Sequence, residues 1–363
     1  MAGWLRREGK LPGAPPLHAF SDAYSSLVQC DERHISDEIV RQYSLPFSAI
    51  FIDESHSIWD PARHEPDQDA PIVSAFDPSL KLAFALAQTE GIQRMLTGHR
   101  GDLLIGSMIF DCLDPLFHGE WRFAAAELER LRLWYGISRT KAFQRHILAP
   151  LVQTLWPPYR LPGLRRRMSA LYRRKANDFA YLPWIQPDFA RRIGIERIIE
   201  QDRVPARLQP PSRAQRYKLI FIPHHMGMAA AIERLAARCG VELADVWADR
   251  RLARFCLAVP QNVINREAEN KWLLRRAMKN VMPENARTAA LKISPEPLFK
   301  KQLVDSKDYI LNSLILNGIC AQHGYVAANI LAEAFLDYCE DRSHDQMFSY
   351  ALMLEIWLRR FWR

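Results

Sequence analysis

The segment best suited to bind an anion is a glycine turn that directly follows a predicted strand. The strand covers residues 93–97, and Gly98, Gly101 and Asp102 lie in or beside the turn after it. Glycines let backbone N–H groups approach an anion closely, and an adjacent carboxylate can hold Mg²⁺. Most glycine turns after strands only redirect the chain, so the motif in isolation indicates a candidate phosphate site and no more.

A second candidate comes from two cations four residues apart. Lys271 and Arg275 occur in a stretch with helical periodicity, so their spacing predicts that they share one helix face. Together they could bind a polyphosphate, with lysine as a point charge and arginine as a planar fork. A solvated basic face would give the same spacing, and both interpretations stay open at this point.

The elements that must position these residues alternate between strands and helices. Beginning with a strand, the predicted order over the first 110 residues is 17–21, 31–43, 47–52, 77–91 and 93–97. This alternation is typical of a parallel α/β sheet. From about residue 110 onward the pattern is mostly helical, which predicts an α/β protein with a large helical C-terminal portion.

The sequence divides into three parts. Residues 1–16 are rich in Gly, Pro and Arg, which predicts an irregular N-terminal arm. Residues 17–300 form the main domain, with its α/β part at 17–110 and its helical part at 110–300. Residues 301–363 form a helical C-terminal extension.

The composition is that of a globular protein. Hydrophobic residues make up 48% of the chain and charged residues 25%, and no run of about 18 uncharged apolar residues occurs. The six cysteines are scattered without a C-x-x-C pair. We therefore predict reduced thiols in a cytoplasmic protein.

The net charge of +8 is compatible with a nucleic acid, an anionic membrane or an anionic substrate such as a nucleotide. Acidic residues are interspersed with the basic ones, which favours the nucleotide and predicts neither a nucleic acid partner nor a membrane partner. The basic run at 165–175 is interpreted as a solvated helix face. The aromatic segment 347–363 is interpreted as a packed terminal helix, with a peripheral membrane helix as the alternative.

Taken together and in order, these segments resemble the synthetase half of the asparagine synthetase family. The family pattern is approximately S-G-E-G-x-D-E-L-F-G-G, then G-V-E-x-R-x-P-F-L-D-x-R-L-V-E-F, a proline, and G-x-x-K-x-x-L-R-x-A. Here the corresponding segments are 97–107, 240–255 with Pro260 after it, and 271–277. The D-E-R at 31–33 also matches, and the resemblance covers about residues 17–300.

The resemblance implies a partial Rossmann-like parallel sheet of the adenine nucleotide alpha hydrolase type. It also implies an ATP-dependent, amide-forming ligase similar to glutamine-hydrolysing asparagine synthase. Such an enzyme adenylates a carboxylate, here aspartate or a peptide side chain, and releases pyrophosphate. Ammonia or an amine then takes the acyl group, and its donor could belong to a separate protein.

For ATP and Mg²⁺, the resemblance carries four residues over by position. Thr97 and Gly98 would meet the nucleotide through the backbone, and Asp22 falls where the family's chain passes the adenine. Asp102 would be the Mg²⁺-binding carboxylate.

Two further residues match the catalytic positions of the family. Glu242 corresponds to the glutamate next to the acyl-adenylate. Lys271 corresponds to the lysine that stabilises charge on the transferred phosphate or on the tetrahedral intermediate.

The sequence also departs from the family pattern. The phosphate loop S-G-G-x-D-S, which should precede the strand at 17–21, occurs nowhere in the chain. The family's N-terminal glutaminase domain, whose nucleophilic cysteine directly follows Met1, is missing from the sequence as well, and residue 2 is Ala2. Leu103 replaces an acidic residue, as in relatives that close β-lactam rings. Ala244 and Val246 replace an arginine and a proline, and losing the guanidinium predicts altered recognition of the acyl substrate.

Four interpretations remain from the sequence. The chain is a ligase whose natural start lies upstream, or a truncated, non-catalytic relative that binds a partner or a nucleotide. A fragment of a lasso-peptide macrolactam cyclase is a third possibility, because 181–185 and 189–192 resemble those enzymes. A basic helical protein that binds nucleic acid or membrane ranks last.

Overall fold

The computed structural model describes residues 1–54, 57–59, 71, 77–105, 112–155, 182–195, 197, 216–217, 220, 223–266, 269–289 and 294–362. The basic run at 165–175 lies outside the described residues, as do residues 106–107 of the glycine segment and residue 181 of the cyclase-like segment.

Strands and helices alternate up to Thr97, and helices dominate the described residues after it. The strands are β1 (Ala19–Ala23), β2 (Phe47–Phe51), β3 (Arg94–Thr97) and β4 (Glu242–Asp245). The helices are α1 (Ala2–Arg7), α2 (Arg33–Tyr43), α3 (Asp77–Thr89), α4 (Gly101–Leu104), α5 (Leu113–Phe117), α6 (Trp121–Tyr135), α7 (Arg139–Phe143), α8 (Ala149–Leu155), α9 (Pro187–Ile193), α10 (Pro223–Arg238), α11 (Arg250–Ala258), α12 (Gln261–Ile264), α13 (Trp272–Ala277), α14 (Glu284–Thr288), α15 (Glu296–Asp305), α16 (Lys307–Tyr309), α17 (Ile319–Gln322), α18 (Ala328–Cys339) and α19 (Phe348–Phe361). Two π-helical segments, Gln144–Leu148 and Ile310–Leu316, follow α7 and α16 directly.

The strands form two parallel pairs. In the first pair Ala19 of β1 lies opposite Phe47 of β2, and in the second Arg94 of β3 lies opposite Glu242 of β4. Among the described residues, no strand pairing joins the two pairs. Parallel strands separated by helices confirm the predicted α/β class and the partial Rossmann-like sheet, here divided into two halves.

Helix α3 connects the two pairs through two adjacent apolar stripes. Ala83 and Leu86 pack in the cluster of buried residues that includes β2. Phe84 and Ala87 pack in a second cluster with residues of α10, β3 and β4. Phe20 of β1 packs against both clusters. Since residues three apart lie on the same side of a helix, the spacing of these four residues lets one helix cover both halves of the sheet.

Gly91 ends α3 shortly before β3 begins, as the sequence predicts. Its φ of +70° lies in the left-handed region that favours glycine. The N–H of Ile92 donates to the carbonyl oxygen of Ala87 over 2.8 Å, which closes the helix. Strand β3 begins two residues later, at Arg94.

The N-terminal residues contradict one prediction, because part of the expected irregular arm is helical. Helix α1 packs against α2, and a Cβ added at Gly3 would lie 2.9 Å from the Tyr43 ring. The Arg7 guanidinium lies 5.2 Å from the centroid of the same ring. An isolated six-residue helix is marginal in water. Contact with α2 therefore stabilises a helix that local propensity did not predict.

The helices from Glu296 onward enclose a further core, to which Ile58, Trp59 and Trp184 also contribute. Leu303, Ile310, Phe335, Phe348 and Leu352 are all fully buried in it. Burial of one side of α19 in this core confirms the predicted packed terminal helix. Within the described residues, no helix is both long and apolar enough to cross a lipid bilayer.

Candidate functional site

The candidate site lies where β3 ends. Thr97 is the last residue of β3, and Gly98 follows it at the exposed carboxyl end of the strand. Ligands of open parallel sheets bind beyond this end of the strands. The hydroxyl oxygen of Thr97 is buried and has no hydrogen-bond partner among the described residues. A buried polar atom without a partner is costly, so this hydroxyl is suited to contact a ligand.

One carboxylate fixes the turn that follows Thr97. Asp245, the last residue of β4, lies opposite Thr97 in the strand pair. Its Oδ2 accepts a hydrogen bond from the backbone N–H of Arg100 at 3.3 Å and one from Nη1 of the same residue at 3.0 Å. Its Oδ1 accepts the N–H of Trp247 at 3.0 Å. The turn is thereby joined to the neighbouring strand.

The indole ring of Trp247 covers the turn at Gly101. A Cβ added at Gly101 would lie 2.8 Å from Nε1 of Trp247, closer than real Cβ contacts come. At Gly98 the same indole atom would lie 4.0 Å away, an ordinary contact distance. The two glycines therefore differ, because close ring packing requires glycine only at Gly101.

Asp102 and Lys271 meet beside this turn although they are distant in sequence. The Lys271 Nζ lies 2.7 Å from Oδ1 of Asp102. The two side chains keep 33% and 41% of their surface exposed, so a ligand can reach both. The resemblance assigned both residues to the site, and the fold brings them together.

The backbone of Lys271 does not have the conformation that its spacing predicted. Lys271 precedes α13 with φ +60° in the left-handed region, and its N–H donates to Oδ1 of Asn265 at 2.9 Å. Because it stands outside the regular helix, it does not share a helix face with Arg275 as predicted.

Arg275 is occupied by backbone carbonyl groups. Its Nε, Nη1 and Nη2 donate to the carbonyl oxygens of Asn270, Arg287 and Ala289 at 2.9, 2.5 and 2.7 Å. These bonds hold the chain after α14 against α13. Polyphosphate binding by a Lys271–Arg275 pair, one of the two open interpretations, is therefore wrong for Arg275.

Glu242 lies at the opposite end of β4 from Asp245. It is the first residue of that strand, roughly 10 Å from the last at a rise of about 3.3 Å per residue. Its Oε2 lies 2.7 Å from Nη2 of Arg94, and the two side chains are more than 60% exposed. The structure thus does not bring Glu242 together with Lys271 and Asp102.

Asp22 lies near the carboxyl end of β1. Its side chain is exposed to water, yet the surrounding protein raises its pKa by incomplete hydration, and the nearby Glu32 carboxylate raises it further.

Comparison with known proteins identifies the family. A model of the asparagine synthase family matches residues 2–359. The chain belongs to the asparagine synthase family. The match extends beyond the predicted range of 17–300 and includes both α1 and the C-terminal helices. No curated protein matches the chain.

Membership of the asparagine synthase family gives the chain an ATP-dependent, ligase-like function in general terms. It implies ATP, a carboxylate and an amine donor as substrates. The free hydroxyl of Thr97 and the accessible Lys271 fit a nucleotide at this site. Among the described residues there is no cluster of three or more His, Cys, Asp or Glu residues that could hold a metal. Mg²⁺ at Asp102 would therefore depend on phosphate oxygens and water for its other ligands, as is usual for this ion.

Sequence reasoning missed Asp245 and Arg100, although both lie in the segments that resemble the asparagine synthase family. The available signal was position, because Asp245 ends a strand parallel to the one that carries the glycine turn. The family pattern quoted above has no acidic residue at this position and a glycine where Arg100 stands.

Proposed function

We propose that this protein catalyses ATP-dependent amide-bond formation through an acyl-adenylate. The observation that carries this proposal is the meeting of Lys271 and Asp102 at the carboxyl end of β3, next to the free hydroxyl of Thr97. These residues come from distant parts of the chain, and each stands at a position that the asparagine synthase pattern uses.

The proposed reaction has two steps. A carboxylate oxygen of the acyl substrate attacks the α-phosphorus of ATP, and the bond to pyrophosphate breaks. Ammonia or an amine then attacks the acyl carbon, loses a proton and displaces AMP. Both steps develop negative charge on oxygen, so a positioned cation lowers both barriers.

The roles of the residues follow from their places in the site. Thr97 and Gly98 contact the nucleotide, Lys271 stabilises the developing charge, and Asp102 holds Lys271 until ATP and Mg²⁺ arrive. Bound Mg²⁺ would neutralise phosphate charge, with Asp102 as its protein ligand. Asp22 lies near the carboxyl end of β1 and would contact the adenine side of the nucleotide.

Glu242 stands outside this proposed group. Its place beside the acyl-adenylate rests on the family pattern alone, since its carboxylate is paired with Arg94 at the far end of β4. The acyl substrate is a carboxylate of the aspartate or peptide side-chain class. Ala244 offers it no guanidinium, which favours a substrate that differs from free aspartate.

ATP–pyrophosphate exchange tests the proposal directly. The 363-residue chain is incubated with ATP, Mg²⁺ and labelled pyrophosphate, with aspartate or a peptide carboxylate as substrate. We expect exchange that Lys271→Gln reduces about 100-fold or more, in the range of losing one charge-stabilising group. Lys301→Gln is the matched control, because Lys301 forms a similar pair with Asp305 at 2.6 Å on an exposed surface. Equal rates for the two variants would refute the assignment of Lys271.

A second candidate function is nucleotide or partner binding without catalysis. The sequence observation that favours it is the missing S-G-G-x-D-S, since that loop would hold the pyrophosphate. Equilibrium binding of a labelled ATP analogue separates the two functions. Binding without exchange on any tested carboxylate would support this second candidate against the ligase.

A further inference from the structure

A partly buried carboxylate near the candidate site contacts the glycine turn through two different residues. The side chain of Asp245 is 9% exposed, against 62% for Glu242 at the other end of the same strand. Its Oδ2 binds Arg100 twice, through the backbone N–H and through Nη1. Its Oδ1 binds the N–H of Trp247, whose indole packs on Gly101.

These contacts hold the turn from both sides. Arg100 directly precedes Gly101, so its double hydrogen bond fixes the chain between Gly98 and α4. The indole of Trp247 packs on Gly101, and the backbone N–H of Trp247 is bound by Asp245. The residue after Gly101 is Asp102, whose carboxylate meets Lys271. A shift of the turn would therefore move Asp102 and Thr97 together.

We propose that Asp245 is a positioning residue that fixes the glycine turn for nucleotide binding through Arg100 and Trp247. The role in nucleotide binding rests on the proposed function, whereas the positioning of the turn by Asp245 does not. Charge-assisted hydrogen bonds to a carboxylate are stronger than neutral ones, and here both oxygens of Asp245 act as acceptors. An asparagine would present an amide N–H₂ group to one of these donors and lose the charge that holds the guanidinium.

Hydrogen–deuterium exchange of the ligand-free chain is the first test. In Asp245→Asn we expect faster exchange in the peptides that cover 94–105, while the peptides of α10 stay unchanged. Asp249→Asn is the matched control, because Asp249 also accepts backbone N–H groups and pairs with an arginine, but it holds α11. Asp249→Asn should accelerate exchange only at the start of α11.

Steady-state kinetics is the second test, because a loss of folded protein alone would lower the apparent kcat and leave KM unchanged. Asp245→Asn should raise KM for ATP about tenfold, since the turn binds ATP, and lower kcat less than Lys271→Gln does, since Asp102 moves with the turn but the Lys271 ammonium remains. Lys271→Gln should lower kcat and leave KM nearly unchanged. Arg100→Ala should raise KM similarly, and adding Asp245→Asn to it should have little further effect if the aspartate acts through Arg100.

The results separate two kinds of failure. Unchanged exchange of 94–105 in both Asp245→Asn and Arg100→Ala would overturn the positioning role, whatever the activity. Additive effects of the two substitutions on KM would overturn action through Arg100. A wild-type chain that neither binds nor turns over ATP would refute the proposed function, and the deuterium data would still decide whether Asp245 holds the turn.

Discussion

An aspartate has the same structural role in both halves of the sheet. In each parallel pair, an aspartate at the end of the second strand accepts hydrogen bonds from the loop that follows the first. Asp53, just after β2, binds the loop after β1, and Asp245 in β4 binds the turn after β3. Because both loops leave the carboxyl ends of parallel strands, one short acidic side chain can reach across from the neighbouring strand.

The halves differ in what the aspartate leaves unsatisfied. Asp53 accepts the N–H groups of Ser25, Ser26 and Leu27 and also both serine hydroxyls. In the second half the buried hydroxyl of Thr97 has no hydrogen-bond partner among the described residues, and Asp102 pairs with Lys271 while both side chains stay partly exposed. The loop after β1 is thus held by Asp53, and its serine hydroxyls are already hydrogen-bonded. The turn after β3 is fixed by Asp245, yet Asp102 and Lys271 beside it stay accessible to a ligand.

Asp102→Asn should have the largest effect on the second half. Loss of the carboxylate removes the proposed Mg²⁺ ligand and the partner of Lys271, so ATP–pyrophosphate exchange should fall about 100-fold. The free energy of unfolding should change by less than about 1 kcal/mol, because the pair is partly exposed. Urea denaturation beside the exchange assay checks both values. A large loss of stability with normal exchange would show that the Asp102–Lys271 pair has a structural role and not a functional one.

Asp53→Asn should have the opposite profile, with little effect on exchange and a loss of about 1–2 kcal/mol of stability at pH 7. Partial burial by itself would raise the pKa of Asp53, but the hydrogen bonds from residues 25–27 outweigh it and lower the pKa to about 2. A lowered pKa means that the carboxylate stabilises the fold above the ordinary aspartate pKa of about 3.9 and loses this contribution as the pH falls toward 2.

The difference in stability between wild type and Asp53→Asn should therefore be constant near neutral pH and shrink below about pH 4. Urea denaturation at a series of pH values measures it. Asp305→Asn is the control, since its exposed pair with Lys301 stabilises little. A difference in stability that persists unchanged to pH 3 would show that the charge of Asp53 is not what stabilises the loop after β1.

Gly101→Ala tests the packing of the turn and should cost about 1 kcal/mol, as expected for moderate overpacking. The new methyl group would start 2.8 Å from the Trp247 indole, so the ring must move. Gly98→Ala is matched to it, since its methyl group would lie 4.0 Å from the same atom. Thermal denaturation of the two variants should place Gly101→Ala clearly lower. Equal melting temperatures would mean that the indole yields without cost.

Glu242→Gln should have the smallest effect on stability, below about 0.5 kcal/mol, because its ion pair with Arg94 is exposed. The exchange rate of the same variant decides the role that the family pattern gives to Glu242. A loss of 100-fold or more with unchanged stability would establish Glu242 as catalytic and extend the site along the whole of β4. A rate near that of wild type would confine the site to the carboxyl end.

Much of the α/β half could be predicted because its signals are local. The predicted strand at 47–52 is β2, the strand at 93–97 is β3, and Gly91 ends α3. Strand β1 is displaced by two residues, to Ala19–Ala23, since pairing with β2 decides where it ends. Helix α1 escaped prediction because its stability comes from contact with Tyr43.

The site was only partly predictable. The family pattern pointed to Asp102 and Lys271, and the fold joins them. It gave no sign of Asp245 or Arg100, because a pairing between residues so far apart in sequence leaves no periodicity or spacing. The spacing of Lys271 and Arg275 offered phosphate binding as one interpretation of Arg275, whereas three backbone carbonyl groups occupy that guanidinium.

The sequence by itself determined the class of the fold, the glycine turn and membership of the asparagine synthase family, because periodicity, turn residues and motif order are properties of neighbouring residues. Only the tertiary structure decided which charges meet. In the folded chain Asp102 pairs with Lys271, and Asp245 accepts hydrogen bonds from the glycine turn. Glu242 lies at the other end of the same strand as Asp245 and pairs with Arg94. The reason is physical: the strength of a charge pair depends on distance and burial, and both are set by the packing of strands and helices from distant parts of the chain.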